Sequence, residues 1–259
     1  MATNVISLAQ IKGGVAKTTS SINLGAALAE VGNKVLLIDL DPQGSLSSSF
    51  GYIREDPEKN IARVLFDFIP MESVILKTNI NNLDIITSSI KMAKKEIAIN
   101  LIDDHGRHQF SLKEAISSLP QDQYDYIILD CPAFLGVITM NALMVSDMAI
   151  FPSTPDTLSL LGIKKMIGFL MFIKKNFNFG IRFRILITMY DDHKVIYRNL
   201  VEKLRDLYGR RIFETVINKD INISKSQLIQ KPILTYKTTS KASDQYRALA
   251  QEIINYAKE

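Results

Sequence analysis

Short apolar runs rich in β-branched residues recur along the chain, and they constrain its fold more than any other feature. Several, such as KVLLIDL and YDYIILD, are almost continuously apolar, which is typical of parallel strands covered on both faces. We predict strands at 4–10, 34–40, 83–88, 124–130, 148–153, 182–189 and 212–217.

The segments between these strands favour helices, and the alternation continues over the 259 residues. We predict helices at 17–31, 111–118, 139–146, 158–176, 193–208 and 239–257. This order predicts an α/β fold with a doubly wound, mostly parallel sheet and helices on both faces. No repeat, low-complexity tract or Pro/Gly/Ser-rich linker interrupts the pattern, so we expect a single domain over 1–259. The pattern is least regular at 42–110.

Composition and charge narrow the possible functions. Cys131 is the single cysteine, which excludes an intramolecular disulfide and fits a reducing, cytoplasmic setting. Residues 1–159 hold 12 Lys+Arg and 18 Asp+Glu, a net charge of −6, whereas residues 160–259 hold 19 and 9, a net charge of +10. A basic half predicts a polyanion as partner, although an ordinary solvated surface would explain the asymmetry equally well.

The segment 10-QIKGGVAKTTS-20 joins the first predicted strand to the first predicted helix. It departs from the standard phosphate-binding loop G-x-x-x-x-G-K-[ST], because Ile11 and Ala16 stand where glycines are expected. Its strand–turn–helix setting still directs backbone N–H groups and the helix dipole at an anion. Lys17 would reach phosphates and the Thr18 hydroxyl would bind Mg²⁺. We expect Ala16 to have a negative φ.

Carboxylates follow two of the predicted strands. Asp39 and Asp41 end KVLLIDLDP, and Asp130 ends YIILD in the manner of a Walker B strand. Ligands of open α/β sheets gather at the carboxyl ends of strands, and Mg²⁺ prefers oxygen ligands. We therefore expect Thr18, Asp41 and Asp130 at a magnesium site. For Asp39 we expect either a structural role or one that supports the residues of the site.

Three motifs in order, KGGVAKTT, DLDPQGSLSS and IILDCPAFLG, resemble those of the ParA/MinD family of deviant Walker-type ATPases. The family loop K-G-G-x-x-K-[ST] accounts for the departure at Ile11 and Ala16. The resemblance covers most of the chain, since TMYDD (188–192) and TVINKDINIS (215–224) are similar to segments that enclose adenine in small ParA proteins. It implies a P-loop fold that uses ATP and Mg²⁺.

The resemblance also implies residue roles. Lys12 would act across a dimer interface on the partner's nucleotide, Lys17 would hold phosphates, and Asp41 would position the attacking water, so these three are the expected catalytic residues. A side chain at Gly13 would block an ATP-bound dimer. The residues expected at the nucleotide are Lys12, Gly13, Gly14, Val15, Ala16, Lys17, Thr18, Thr19, Met189, Ile217 and Asn218.

The chain departs from the family pattern in three places. Ala133 and Phe134 replace Pro and Ser in the second switch, 131–136, and Asn218-Lys219 replaces Pro-Arg in the adenine segment. Lys225 and Ser226 stand where a Glu-Ala pair is usual, which adds positive charge.

The family contains several functions, and the sequence favours a plasmid or chromosome partition ATPase. Such a protein would form a homodimer on binding ATP, bind DNA without sequence preference, and be stimulated by a ParB-like centromere-binding protein. It would be cytoplasmic and associated with the nucleoid. The candidate DNA-binding residues are Lys194, Arg198, Arg210, Arg211, Lys219, Lys225, Lys241 and Arg247.

Two other members of the family are alternatives. A MinD-type membrane-cycling ATPase needs an amphipathic anchor, but the last helix reads as one docked on the domain, so we expect no membrane partner. A reductase-like relative needs an iron–sulfur cluster, and one cysteine per chain would give a dimer two of the usual four thiolates. We also expect no N-terminal helix-turn-helix domain, because the loop begins by residue 11.

Overall fold

The computed structural model describes residues 3–52, 56–102, 108, 110–177 and 180–257. In these residues a sheet of eight strands forms the centre of the molecule. The strands are β1 Asn4–Leu8, β2 Val35–Asp39, β3 Leu76–Lys77, β4 Leu83–Ile86, β5 Tyr126–Asp130, β6 Met148–Ser153, β7 Arg182–Tyr190 and β8 Ile212–Asn218. All seven predicted strands are present, and β3 is additional.

The strand order is β3-β4-β2-β5-β1-β6-β7-β8. Each neighbouring pair is parallel except β3 and β4, which are antiparallel. The prediction of a doubly wound, mostly parallel sheet is therefore confirmed. β1 lies between β5 and β6, with Leu8 opposite both Asp130 and Ile150. The chain winds to one side of β1 and later to the other, so a crevice opens at the carboxyl end of β1.

Helices cover both faces of the sheet. They are α1 Lys17–Glu30, α2 Ser45–Ser48, α3 Ile61–Asp67, α4 Lys91–Ile102, α5 Ser111–Ser117, α6 Val137–Val145, α7 Thr157–Phe177, α8 Val195–Tyr208, α9 Ile221–Leu228, α10 Ile233–Tyr236 and α11 Lys241–Tyr256. The six predicted helices are confirmed to within two residues at each end. The sequence did not predict α2, α3, α4, α9 or α10, the first three of which lie in the irregular region 42–110.

The sheet separates two large apolar cores, and a smaller cluster lies under α7 and α8. One large core lies against α3, α5, α6 and α7, and the other against α1, α10 and α11. Tyr246, Leu249 and Ile253 of α11 are at most 1% exposed, and burying each contributes about 2 kcal/mol. The apolar face of the last helix is thus already packed inside the domain. Within the described residues, no helix combines the length and the apolar character that crossing a bilayer requires.

Candidate functional site

The loop between β1 and α1 turns sharply at two residues. Gly14 has φ 71°, and Ala16, which precedes the first residue of α1, has φ 61° and ψ 34°. The expectation of a negative φ at Ala16 is therefore wrong. The left-handed conformation turns the chain into the helix, and alternating backbone conformations of this kind aim successive N–H groups into an anion-binding concavity. A non-glycine residue in this region costs about 1–2 kcal/mol.

We expect Ala16→Gly to raise the free energy of unfolding by about 0.5–1 kcal/mol, because the relief of strain exceeds the extra entropy that glycine gives the unfolded chain. The melting temperature should rise by roughly 2 °C in a chain of this size. Ala248→Gly is the matched control. Ala248 is exposed inside α11, and its replacement should lower the free energy by about 1 kcal/mol. Equal losses in both variants would contradict the left-handed conformation at Ala16.

Gly13 and Gly14 are exposed on this loop. A Cβ atom built on either glycine meets no described atom within 4 Å. Packing within the described part of the chain therefore does not require glycine at Gly13, and backbone conformation favours it at Gly14. Both positions leave the loop backbone open to a close approach by another molecule.

A cluster of polar groups lies directly below the loop, at the start of α1. Thr18 Oγ1 donates a hydrogen bond to Asp130 Oδ2 at 2.7 Å, and Ser21 Oγ donates to Asp130 Oδ1 at 2.8 Å. Burial lowers the pKa of the Lys17 ammonium, against the charges of Asp130 and Asp41. Burial likewise raises the pKa of Asp130 to about 6, against the hydrogen bonds and the charge of Lys17. The sequence reasoning missed Ser21, one turn after Lys17.

The two aspartates after β2 differ in their surroundings. Asp39 is fully buried and accepts hydrogen bonds from Ser47 N, Ser47 Oγ and Asp41 N. Burial and the charge of Asp130 raise the pKa of Asp39 to about 7. Asp41 is partly exposed, its Oδ1 accepts from Gln43 N at 3.0 Å, and its carbonyl accepts from Ser88 Oγ at 2.5 Å. These contacts fit a structural Asp39 and leave Asp41 accessible.

This donor set fits magnesium bound together with phosphate. Among the described residues, no cluster of three or more His, Cys, Asp or Glu could enclose a metal alone. Mg²⁺ is usually held by one or two carboxylates together with phosphate oxygens and water. The Thr18 hydroxyl and the Asp130 carboxylate, 2.7 Å apart, with Asp41 close enough to influence the pKa of Asp130, match that requirement.

The Lys12 side chain contacts residues of its own chain in this structure. Its Nζ donates to Asp156 Oδ2 at 2.6 Å, to Ser159 Oγ at 3.0 Å and to Thr154 Oγ1 at 3.2 Å. Burial opposes the charge of Asp156, but hydrogen bonds from Lys12, Thr154 and Ser159 outweigh it and hold the pKa of Asp156 well below its usual range. The three partners follow β6, so the rule about strand ends could have found them. We name Thr154, Asp156 and Ser159 the Lys12 cradle.

A small cavity of about 170 Å³ opens beside the loop. It brings together five of the predicted nucleotide residues, Ala16, Thr19, Met189, Ile217 and Asn218. Met189, like Ala16, is a non-glycine residue with positive φ, 52°, and backbone strain of this kind concentrates at ligand sites. Gln227 of α9, which the sequence reasoning missed, donates from Nε2 to Thr19 Oγ1 at 3.0 Å.

Asn218 replaces the usual proline of the adenine segment, and a network of hydrogen bonds fixes it. Its N–H donates to Gln245 Oε1 at 2.9 Å, and its Oδ1 accepts from Gln245 Nε2. Its Nδ2 donates to Asp192 Oδ2 at 2.8 Å, and Lys241 pairs with the same oxygen at 2.6 Å. The amide therefore replaces the rigidity of proline with contacts to two neighbouring elements.

The second switch, 131–136, leads from β5 into α6. Cys131 is 1% exposed, and burial raises the pKa of its thiol far above the usual value. A buried neutral thiol does not suit an iron–sulfur cluster shared between subunits. Glu96 of α4 accepts a hydrogen bond from Ile138 N at 3.0 Å, and a Cβ on Gly136 would lie 2.2 Å from Glu96 Oε1. Glu96 thus holds the end of the switch, a role the sequence reasoning missed.

The residues predicted to bind DNA do not form one patch on the single chain. Arg210 and Arg211 precede β8 and Lys219 follows it, and the seven residues of β8 separate them by about 20 Å. Lys194, Arg198 and Lys241 lie at the end occupied by Lys219. Arg247 is held by Glu30 at 2.6 Å and by Asp244 at 3.0 Å, so its charge is offset within the chain.

Comparison with known proteins agrees with this geometry. A family model described as an AAA domain matches residues 3–183. The sporulation initiation inhibitor protein Soj of Bacillus subtilis is 34% identical over 250 residues, 96% of this chain and 97% of Soj. The chromosome partitioning protein ParA of Myxococcus xanthus is 31% identical over 251 residues, 96% of this chain and 87% of that protein.

Two solved structures are similar over most of the chain. A plasmid partition protein from Borrelia burgdorferi has a TM-score of 0.72 and 29% identity, over 89% of this chain and 97% of that one. Cobyrinic acid a,c-diamide synthase from Mycobacterium smegmatis, with a bound ATP analogue and magnesium, has a TM-score of 0.79 and 29% identity, over 99% and 96%. The chain therefore belongs to the ParA/MinD-type family of P-loop proteins that the AAA-domain model describes.

Proposed function

We propose that the protein is a Mg²⁺-dependent ATPase that partitions a plasmid or chromosome. The observation that supports this function best is the second lysine of the loop. Lys17 is already buried beside Asp130, whereas Lys12 stands in front of the two glycines and is held by the Lys12 cradle. Soj and ParA relatives named for sporulation control and chromosome partitioning match nearly the whole chain, and the similar structure of the synthase contains an ATP analogue and magnesium.

In this proposal each residue of the site has one task. Lys17 and the loop N–H groups would hold the phosphates. Thr18 and Asp130 would hold Mg²⁺, whose positive charge would offset that of the phosphates. Asp41 orients the attacking water. When two subunits close face to face at Gly13, each Lys12 leaves its own cradle and places its ammonium where charge develops on the partner's nucleotide. Hydrolysis and dimerisation are thereby coupled.

Dimerisation also explains how separated basic residues could bind one duplex. Two subunits double each group of cations, and non-specific affinity for DNA rises steeply with the number of phosphates neutralised. We propose that the contacts are directed at phosphates, that the protein associates with the nucleoid, and that a ParB-like centromere-binding protein stimulates hydrolysis. Of the predicted contacts, Lys194, Arg198 and Lys219 lie at one end of the sheet. Lys225 lies on α9, the helix that begins two residues after Lys219.

The decisive experiment measures binding to random-sequence duplex DNA with Mg²⁺ and a non-hydrolysed ATP analogue, with ADP as control. We expect the parent to bind only with the analogue. Gly13→Val should still bind the analogue, because an added side chain meets nothing within the described subunit. It should neither dimerise nor bind DNA, because that side chain would stand where the two subunits meet. DNA binding by monomeric Gly13→Val would contradict the coupling. Binding to anionic liposomes instead of DNA would replace the proposal with a MinD-type function.

A further inference from the structure

The turn that carries Asp41 borders a cavity that the mechanism proposed above does not use. The cavity has a volume of about 200 Å³, and its lining includes residues 42–44 and 87–90. Gln43 is exposed there and Gly44 is partly exposed, so the turn is not packed on this side. Hydrogen bonds must therefore hold residues 41–44, which we name the Asp41 turn, in place.

Two hydrogen bonds within the Asp41 turn make it a compact unit. Gly44 N donates to the Asp41 carbonyl at 2.9 Å, and Gln43 N donates to Asp41 Oδ1 at 3.0 Å. Gly44 has φ 65°, a conformation that glycine adopts without a steric penalty. The Asp41 carboxylate is thus fixed relative to the turn, and a shift of the turn would carry the carboxylate with it.

A third hydrogen bond ties the Asp41 turn to the sheet. Ser88 Oγ donates to the Asp41 carbonyl at 2.5 Å, across 47 positions of sequence. This distance is at the short end of the range for a hydroxyl donor. A carbonyl oxygen has two lone pairs, and here one accepts from Gly44 and the other from Ser88. The bond to Ser88 leaves the Asp41 carboxylate itself accessible.

Ser88 is itself firmly held. It is buried and follows β4, which pairs with β2 along 35–38. Its N–H donates to Ser47 Oγ at 3.0 Å, and Ser47 Oγ donates to the buried Asp39 carboxylate at 2.6 Å. Ser88 therefore fixes the distance between the end of β4 and the turn that follows β2.

We propose that Ser88 is a positioning residue for ATP hydrolysis. Its hydroxyl group holds the Asp41 turn on the sheet, at the place where the Asp41 carboxylate meets the attacking water. This inference rests on the proposed function, in which Asp41 orients that water. Ser88 touches neither the nucleotide nor Mg²⁺ in this proposal and acts through the Asp41 main chain alone. Misplacing a reacting group by about 1 Å can cost roughly a hundredfold in rate.

The first test compares turnover at saturating ATP with equilibrium binding of the ATP analogue. Ser88→Ala should lower kcat about tenfold and leave the dissociation constant of the analogue within about twofold. Ser88→Thr keeps the hydroxyl group, and the cavity beside it has room for the added methyl group, so its kcat should match that of the parent. Ser118→Ala is the matched control, because Ser118 Oγ donates to the Ala115 carbonyl at 2.7 Å at the end of α5.

The second test needs no nucleotide and measures hydrogen exchange of the Gln43 and Gly44 amides. Both amides should exchange about three- to tenfold faster in Ser88→Ala, the range that one lost hydrogen bond gives. Ser88→Thr should exchange at the parental rate. A double variant completes the test. Ser88→Ala added to Asp41→Ala should leave the residual turnover unchanged, because a residue that acts through Asp41 has no effect once its carboxylate is gone.

The outcomes separate this inference from the proposed function. If Asp41→Ala is slow and Ser88→Ala has the parental kcat, the inference fails and the proposed function stands. The inference also fails if Ser88→Ala loses affinity for the analogue as much as it loses turnover, or if the double variant is a further tenfold slower than Asp41→Ala. Parental turnover in Asp41→Ala would contradict the water-orienting role of Asp41 in the proposed function, and this inference with it.

Discussion

Replacing Lys12 by alanine is expected to lower ATP turnover about a thousandfold, the lower range measured when a cation inserted from a partner is removed from a phosphoryl-transfer site. Binding of ATP by the single subunit should stay within a factor of a few, because Lys12 Nζ is held by Asp156 and not by the groups around Lys17. Phosphate release at saturating ATP and equilibrium binding of an ATP analogue measure the two effects. A parallel loss of both would mean that Lys12 serves its own nucleotide.

A substitution in the Lys12 cradle should make dimerisation easier, whereas Lys12→Ala impairs the site. In Asp156→Asn the side-chain oxygen can still accept from Ser159 N, but the new amide donor faces the Lys12 ammonium and cannot hold it. An ion pair as exposed as this one, 27% and 40% for its two side chains, is worth about 0.2–1 kcal/mol. We expect the ATP concentration that half-dimerises the protein to fall about two- to fivefold. Asp206→Asn, which removes an exposed aspartate on α8 away from the site, should leave that concentration unchanged.

The parallel strands and the long helices could be predicted from the sequence because they depend on strong local patterns. Continuous apolar runs indicated the buried parallel strands, and long amphipathic segments such as α7 and α11 were equally clear. The missed elements are short or weakly patterned. β3 has two residues and pairs in the antiparallel direction, and α9, INISKSQL, has isolated apolar residues although Asp220 caps it. Tertiary contacts decide such segments.

The residues of the site likewise fall into those that the sequence could place and those that only tertiary packing reveals. Lys17, Thr18 and Asp130 follow a strand end or open a helix, so rules of position place them together. Gln227 meets Thr19 across 208 positions of sequence, and only the packing of α9 reveals that contact. The φ of Ala16 could have been inferred, because the standard loop places glycine there. The contacts of Lys12 with Asp156 and Ser159 of its own chain could not have been inferred, since the resemblance describes Lys12 in an assembled dimer.

Replacing Lys17 by alanine should abolish useful ATP binding. Lys17 is 8% exposed, so it is largely desolvated before any ligand arrives and its hydrogen bonds to phosphate are strong. Each such bond contributes about 1.5–3 kcal/mol, and two of them correspond to roughly 10²–10⁴-fold in affinity. Calorimetric titration with an ATP analogue and Mg²⁺ measures this loss. Lys203→Ala, an exposed lysine on α8, is the matched control and should bind as the parent does.

The free energy of unfolding separates this loss from simple misfolding. Burial lowers the pKa of Lys17, which means that keeping its charge costs the nucleotide-free protein free energy. Lys17→Met, which keeps much of the aliphatic stem, should therefore unfold at the same or a higher temperature than the parent without nucleotide. With the ATP analogue at a hundredfold excess over its dissociation constant, the parent should gain about 2.7 kcal/mol, and Lys17→Met almost nothing. If Lys17→Met gains as much stability as the parent, the phosphates do not bind at Lys17, and the loop must hold its ligand through backbone N–H groups alone.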